Sequence, residues 1–322
     1  MEESGRAKGL KWPYPRHRDF ESVLQDTATD WFKDRGLSVS DRRPYILDEW
    51  EDWPSNIILP EVARYIQDER DYRRSQGERF PLHRFIHHGL SSQAMLFNLV
   101  GPLVLRDDLT PLMRVLADCG VAWPEGSITA IFEYDDREVF HEDTGQPTSI
   151  DLVISGDGMP CLFLEGKLVE RRFGGCSVHE RGDCDGLNPA HAFSRCYLHY
   201  LGRTYWELLD EHGFLSGSML HDTTCFLTTH YQFFREALFA FQLGGSFIMI
   251  TDERNPAFHA VGPGGERGLV PLLLSFVPPP LRDRVADITI QQLASAIKAS
   301  AGHDWIEEFE QKYQVGKTVN DE

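Results

Sequence analysis

The chain has no apolar run near the roughly 18 residues a bilayer-spanning helix needs, so membrane-spanning helices are not expected. Its opening segment, MEESGRAKGLKWPYPRHRDF, has no apolar stretch of the kind a secretory signal carries. A cytoplasmic protein without structural disulfides is therefore expected. Cysteine is sparse, at 6 of 322 residues, and reads as free thiol or metal ligand. Basic residues are also short, with 32 Lys and Arg against 50 Asp and Glu and a net charge of −18. Taken alone, that balance disfavours a polyanionic partner. It does not describe a local groove, however, and a divalent-cation site itself requires carboxylates. Internal repeats and low-complexity tracts are absent.

What is present is an ordinary globular composition, 41% hydrophobic and 25% charged, with enough length for one sizeable core and a helical annex. Residues 1–20 are polar and read as a loosely docked arm. Helical spacing follows over 20–34 and 59–78, the latter with charges interleaved as on a solvated face. In HHGLSSQAMLFNLVGPLVLRDD, Ser91 or Ser92 is placed to cap a helix whose apolar residues Met95, Leu96, Leu99, Val100 and Leu103 recur at helical spacing. A short helix over 109–118 precedes a change of period from 3.6 to 2. Three strands are expected at 127–136, 149–155 and 159–168, close enough in sequence to form an antiparallel meander.

A long polar, glycine-rich loop over 170–188 leads to an expected helix over 189–209. A helix over 230–242 then runs into GGSFIMITDER, which has the length of a buried strand. After the proline hinge VPPPL, Thr289 and Gln292 have capping-box spacing, and a last helix is expected over 303–314. The fold class is α/β, a mixed sheet wrapped in helices.

The chemistry is concentrated in SIDLVISGDGMPCLFLEGKLVE, residues 149–170. Strand alternation puts Cys161, Phe163, Glu165 and Lys167 on one face and Leu162, Leu164, Gly166 and Leu168 on the other. Asp151 lies in the preceding strand, with 13 residues between it and Glu165, a spacing that lets a hairpin bring the two carboxylates together. Neighbouring carboxylates repel unless they share a cation, and hard oxygen ligands suit Mg²⁺ or Mn²⁺. An ammonium beside them is suited to orienting a water or steadying charge on a phosphorus centre.

Asp151 followed by Glu165-Gly166-Lys167 on adjacent strands resembles the PD-(D/E)XK nuclease superfamily, and the segments HHGLSSQAMLFNLVGPL and YQFFREAL resemble a bacterial restriction-endonuclease-like branch of it. The residue before the aspartate is Ile150, where the motif name has proline. The resemblance implies a restriction-endonuclease-like αβββαβ core over 85–275 with a helical insertion at about 170–228. An arm and helical cover over 1–84 and a C-terminal helical extension over 276–322 would flank it. It also implies that Asp151 and Glu165 hold Mg²⁺ or Mn²⁺, that Gly166 offers its backbone carbonyl, and that Lys167 acts on the attacking water. Glu133 is read as a further metal ligand or an edge carboxylate. Gln93, Asn98, Gln232 and Arg235, on the flanking helices, are candidates for substrate binding.

Cys176, Cys184 and Cys196 cluster in sequence with His179, His191 and His199, and Cys176-x2-His179 and Cys196-x2-His199 have ligand-like spacing. Zinc would accept that set, and an iron–sulfur cluster would take the three cysteines with Cys161 or another as the fourth. Free thiols are the competing reading. The expected function is a metal-dependent DNA nuclease, an endonuclease in restriction, phage defence or repair, with DNA as partner and a homodimer suited to double-strand cleavage. The alternative is a nucleic-acid-binding or assembly protein that keeps a nuclease-like fold around a structural metal in the cysteine loop.

Overall fold

The computed structural model describes residues 14–143, 145–262 and 264–316. It is a mixed α/β protein organised around one five-stranded sheet. Most of the polar arm expected over residues 1–20 lies outside the described residues. The chain is already helical from His17, where α1 (His17–Asp34) buries Leu24, Ala28, Trp31 and Phe32.

A small hairpin, Val39–Ser40 with Arg43–Leu47, and a 3-10 turn, Trp50–Asn56, lead to α2 (Pro60–Ser75). Proline occupies the first turn of α2, where its missing N–H costs nothing. The interleaved charges of α2 are not all solvated, because Arg73 is buried. The next helix, α3 (Ser92–Leu105), is capped as expected, the Ser91 side chain accepting the Ala94 N–H. Its residues Gln93 through Leu103 are all buried, which makes it the central helix on one face of the sheet. It is followed by α4 (Thr110–Asp118).

The meander follows as β1 (Ile128–Asp136), β2 (Thr148–Gly156) and β3 (Met159–Lys167), each antiparallel to the next. The helix α5 (Leu227–Gln242) crosses back, and β4 (Ser246–Thr251) joins β3 in parallel. A fifth strand, β5 (Val285–Thr289), pairs in parallel with β4. The sequence reading missed β5 because its apolar core is short and its last residue is also a helix cap. Thr289 and Gln292 do form the expected capping box, which starts α6 (Ile290–Lys298). The final helix is α7 (Ile306–Tyr313).

Two hydrophobic clusters sandwich the sheet. Leu162 and Leu164 face α3, α1, α6 and α7, whereas Phe163 faces α5 and the segment between β3 and α5. Alternation along β3 therefore holds around the charged residues. Cys161 departs from it and packs on the Leu162 side, next to the point where the β2–β3 ladder slips at Ile154/Ser155.

The expected helix over 189–209 is broken. It becomes a 3-10 turn Phe193–Arg195, a single turn Tyr197–Tyr200 and a short helix Tyr205–Glu211. Cys196 is extended between the first two pieces, and Gly202 at φ +83° separates the last. Helical periodicity persisted in the sequence although the backbone turns twice. Helix α5 also begins earlier than its apolar pattern suggests, with a non-helical kink at His230.

Candidate active site

The site forms where the antiparallel half of the sheet stops and the parallel half continues. The β2–β3 ladder ends at Leu152↔Leu164, but β3 stays paired with β4 through Glu165↔Met249 and Lys167↔Thr251. In the resulting wedge the Asp151 side chain replaces the missing ladder. Its Oδ2 accepts the Gly166 N–H at 2.9 Å. The structure thus brings Asp151 to the Glu165-Gly166-Lys167 triplet.

Glu165 and Lys167 are both buried and project to the same side. Lys167 Nζ donates to Glu165 Oε1 at 2.6 Å and to Gln232 Oε1 at 3.1 Å. The Phe173 ring lies 5.0 Å from the ammonium. Burial pulls the Lys167 pKa down, yet Glu165, Glu170, Glu236 and Asp151 outweigh it and hold the ammonium more firmly protonated than an ordinary lysine. After Lys167 the chain is pinned by buried Asn255, whose Nδ2 donates to the Leu168 and Glu170 carbonyls at 3.0 and 2.9 Å.

Helix α5 supplies the opposite wall. Gln232 Nε2 donates to Glu165 Oε1 at 2.6 Å and to Glu236 Oε1 at 2.8 Å. Gln232 thereby supports both members of the Glu165–Lys167 pair. It can approach closely because Gly174 faces it: a Cβ there would stand 2.7 Å from the Gln232 Cβ, and the backbone is left-handed at φ +52°. Glu236 was missed from sequence, although its place one helical turn after Gln232 was the available signal. It is fully buried, and burial, then the charge of Glu165, raises its carboxyl well above the usual range.

Glu133 closes the site from β1. The β1–β2 ladder pairs Phe132 with Leu152 and Tyr134 with Ile150, skipping Glu133 and Asp151 between them. Glu133 sits there at φ +54°, a backbone region that costs a non-glycine residue on the order of 1 kcal/mol or more. Two cover residues hold it. Gln93 Nε2 donates to Glu133 Oε1 at 2.6 Å, and Arg73 donates to the Glu133 and Phe132 carbonyls at 2.8 and 2.9 Å. The interleaved charges of α2 point to a solvated face for Arg73, and only packing reveals its role.

Burial, then Asp151, raises the Glu133 carboxyl well above its ordinary range, and burial, then Glu165, does the same to Asp151. Among the described residues no hydrogen bond reaches Asp151 Oδ1 or Glu165 Oε2, because Gly166 uses Oδ2 and both donors to Glu165 use Oε1. Each carboxylate therefore keeps one oxygen free. No three His, Cys, Asp or Glu side chains among the described residues are gathered tightly enough to be a preformed metal cage.

The remaining candidates make other contacts. Asn98 is occupied in the cover: its Oδ1 accepts the Ile58 N–H at 2.7 Å, and its Nδ2 donates to Asn56 O and Tyr313 Oη at 3.1 and 3.0 Å. Arg235 lies over the Tyr231 ring at 5.4 Å, with an Nη 3.9 Å from Glu236 Oε1. Cys176, Cys184 and Cys196 form no disulfide. Burial raises the Cys176 thiol, with Cys196 and Cys184 adding to it. Cys161 stands at the far end of β3 from Lys167, its thiol on the Met159 carbonyl at 3.0 Å.

Fold and site together define a mixed α/β protein with a buried carboxylate–lysine centre at the C-terminal end of the central strand of a mixed sheet. The chain matches the family described as Restriction Endonuclease associating with ARP over residues 25–314, about nine-tenths of its length, and belongs to that restriction-endonuclease-like family. Neither the curated proteins nor the solved structures contain a match.

Proposed function

We propose that this protein is a Mg²⁺- or Mn²⁺-dependent deoxyribonuclease of the PD-(D/E)XK type, an endonuclease that hydrolyses phosphodiester bonds. The observation that carries the reading is the arrangement at the end of β3. Glu165 and Lys167 share one face, Asp151 is hydrogen-bonded to the residue between them, and each carboxylate keeps one oxygen free.

The donor set suits a hard divalent cation: Asp151 and Glu165, the Gly166 carbonyl, and Glu133 as a further carboxylate. The raised carboxyls of Glu133 and Asp151 support this, since a cation would relieve the crowding of negative charge that raises them. When bound, the cation would polarise a phosphoryl oxygen and lower the pKa of a coordinated water.

The chain's own groups supply the rest. Lys167, kept protonated by its carboxylate neighbours, orients the attacking water and steadies the charge developing on the phosphate. Gln232 holds Lys167 and Glu165 in register, and Gln93 and Arg73 hold Glu133. One such site cuts one strand, so double-strand cleavage would call for two copies of the chain.

The test is incubation of linear, circular and single-stranded DNA with Mg²⁺, Mn²⁺ or EDTA. Cleavage in either metal, none in EDTA, and product from closed circles are expected. Cleavage independent of divalent metal would end this reading.

A further inference from the structure

The insertion between β3 and α5 carries a second feature. From Gly186 to Trp206 there is no acidic residue, in a chain that holds 50 of them. The same segment exposes two aromatic rings, Tyr197 at 45% and Tyr200 at 76%, with centroids 6.3 Å apart and planes 34° from parallel. Leu201, next to Tyr200 in sequence, and Leu187, ten residues before Tyr197, are also exposed. Arg195 is exposed, and no described residue pairs with its guanidinium. Two acids from outside the segment reach it: Glu207 pairs with His199 at 3.0 Å, and Glu142 meets Tyr205.

These rings are not a loose tail. Phe193 packs on Trp206 and His199, at 5.9 Å in each case, and this fixes the turn that carries the tyrosines. Tyr205, just downstream, accepts from the Tyr231 hydroxyl at 2.5 Å and donates to buried Glu142 at 2.5 Å. Tyr231 immediately precedes Gln232, so the segment is tied to the helix that walls the candidate active site.

We infer that Tyr197 and Tyr200, with Arg195, form a stacking platform for unpaired bases of a DNA strand. The inference rests on the nuclease reading for its substrate class. Two exposed rings three residues apart give bases a π-face, which every base can use. The unpaired arginine and the absence of carboxylates within the segment itself, where Glu207 and Glu142 are taken up by His199 and Tyr205, make this a part of an acidic protein where a phosphate backbone is tolerated.

The experiment is fluorescence anisotropy of the full chain with a labelled single strand and a blunt duplex, in EDTA so that no cutting occurs. Tyr197→Ala and Tyr200→Ala are each expected to weaken single-strand binding by on the order of 5- to 150-fold, with a smaller loss on the duplex. Tyr197→Phe and Tyr200→Phe, which keep the ring, bind like the parent. Arg195→Ala lowers the salt slope on the single strand by about 0.7. The rings are exposed, so the core is untouched, and circular dichroism checks this. Alanine variants that bind as the parent would overturn the platform, as would losses equal on strand and duplex. Binding in EDTA is read separately from metal-dependent cleavage, so either idea can fail without the other.

Discussion

Lys167 and Glu165, two residues apart on one strand, meet at 2.6 Å, and Gln232 from a different element touches both. A strand places such residues on the same face, but it takes the helix to hold them there. Lys167→Ala is expected to lower DNA cleavage by about 100-fold or more while circular dichroism and DNA binding stay close to the parent. Full cleavage by this variant would remove Lys167 from the site.

Gln232 is expected to act through its neighbours. Gln232→Leu keeps the volume but strips three hydrogen bonds from Glu165, Lys167 and Glu236. Turnover should fall by about 10- to 100-fold with little change in DNA affinity. Gly174→Ala should reproduce part of this loss, because its Cβ would press on Gln232 at 2.7 Å. Gly166→Ala is the contrast. Its Cβ would meet Met95, Asp151 and Leu96 at 3.5–3.6 Å, ordinary contact, so single-turnover kinetics should be nearly unchanged.

Glu133 is held in a strained backbone conformation, and its replacement separates stability from activity. Glu133→Gly relieves the φ of +54° and removes a buried carboxyl, so the thermal midpoint should rise even as cleavage falls. Arg73→Ala should do the opposite to stability. It leaves the Glu133 and Phe132 carbonyls buried without their donor, at a cost of about 1–3 kcal/mol in a urea titration.

Asp287 on β5 gives a pH signature of its own. Burial lifts its pKa from 3.8 to about 7, although Thr251 donates to it at 2.8 Å. His259 stands 3.5 Å away, but burial lowers that imidazole, so the contact stays neutral in the mid range. Because the folded state holds this proton up to about 7 and the unfolded chain releases it near 3.8, stability falls as pH rises across that window. It is unaffected by this group below the window and carries the full penalty above it. Asp287→Asn removes the slope, so melting the two proteins at pH 5 and pH 8 should show the variant gaining stability on the parent at the higher pH.

Local pattern explains how much of the site was legible. Period-2 apolar runs mark β1, β2 and β3, and a charge inside such a run stands out whatever the rest of the chain does. Asp151, Glu165 and Lys167 were therefore visible from neighbours a few residues away. Gln232 was visible as a polar residue in an apolar helix, yet its fellow on the same face, Glu236, passed unnoticed. Arg73 looked like surface because its helix is charged throughout, and Asn98 looked like a site residue because its helix precedes the sheet.

Sequence alone determined the types of β1 to β4 and of the helices before and after them, a cap at Ser91 or Ser92 and one at Thr289, and the charged end of β3, since each depends on side chains within a turn or a strand. Tertiary structure alone decided which charges meet. The wedge between β2 and β3, the left-handed Glu133 with Arg73 behind it, the fifth strand, and the Gln232–Glu236 wall all arise from segments 60 or more residues apart in several cases, as with Arg73 and Glu133. Only the packed chain brings such segments within hydrogen-bonding distance, and burial there shifts the carboxyls that an extended chain would leave at ordinary values.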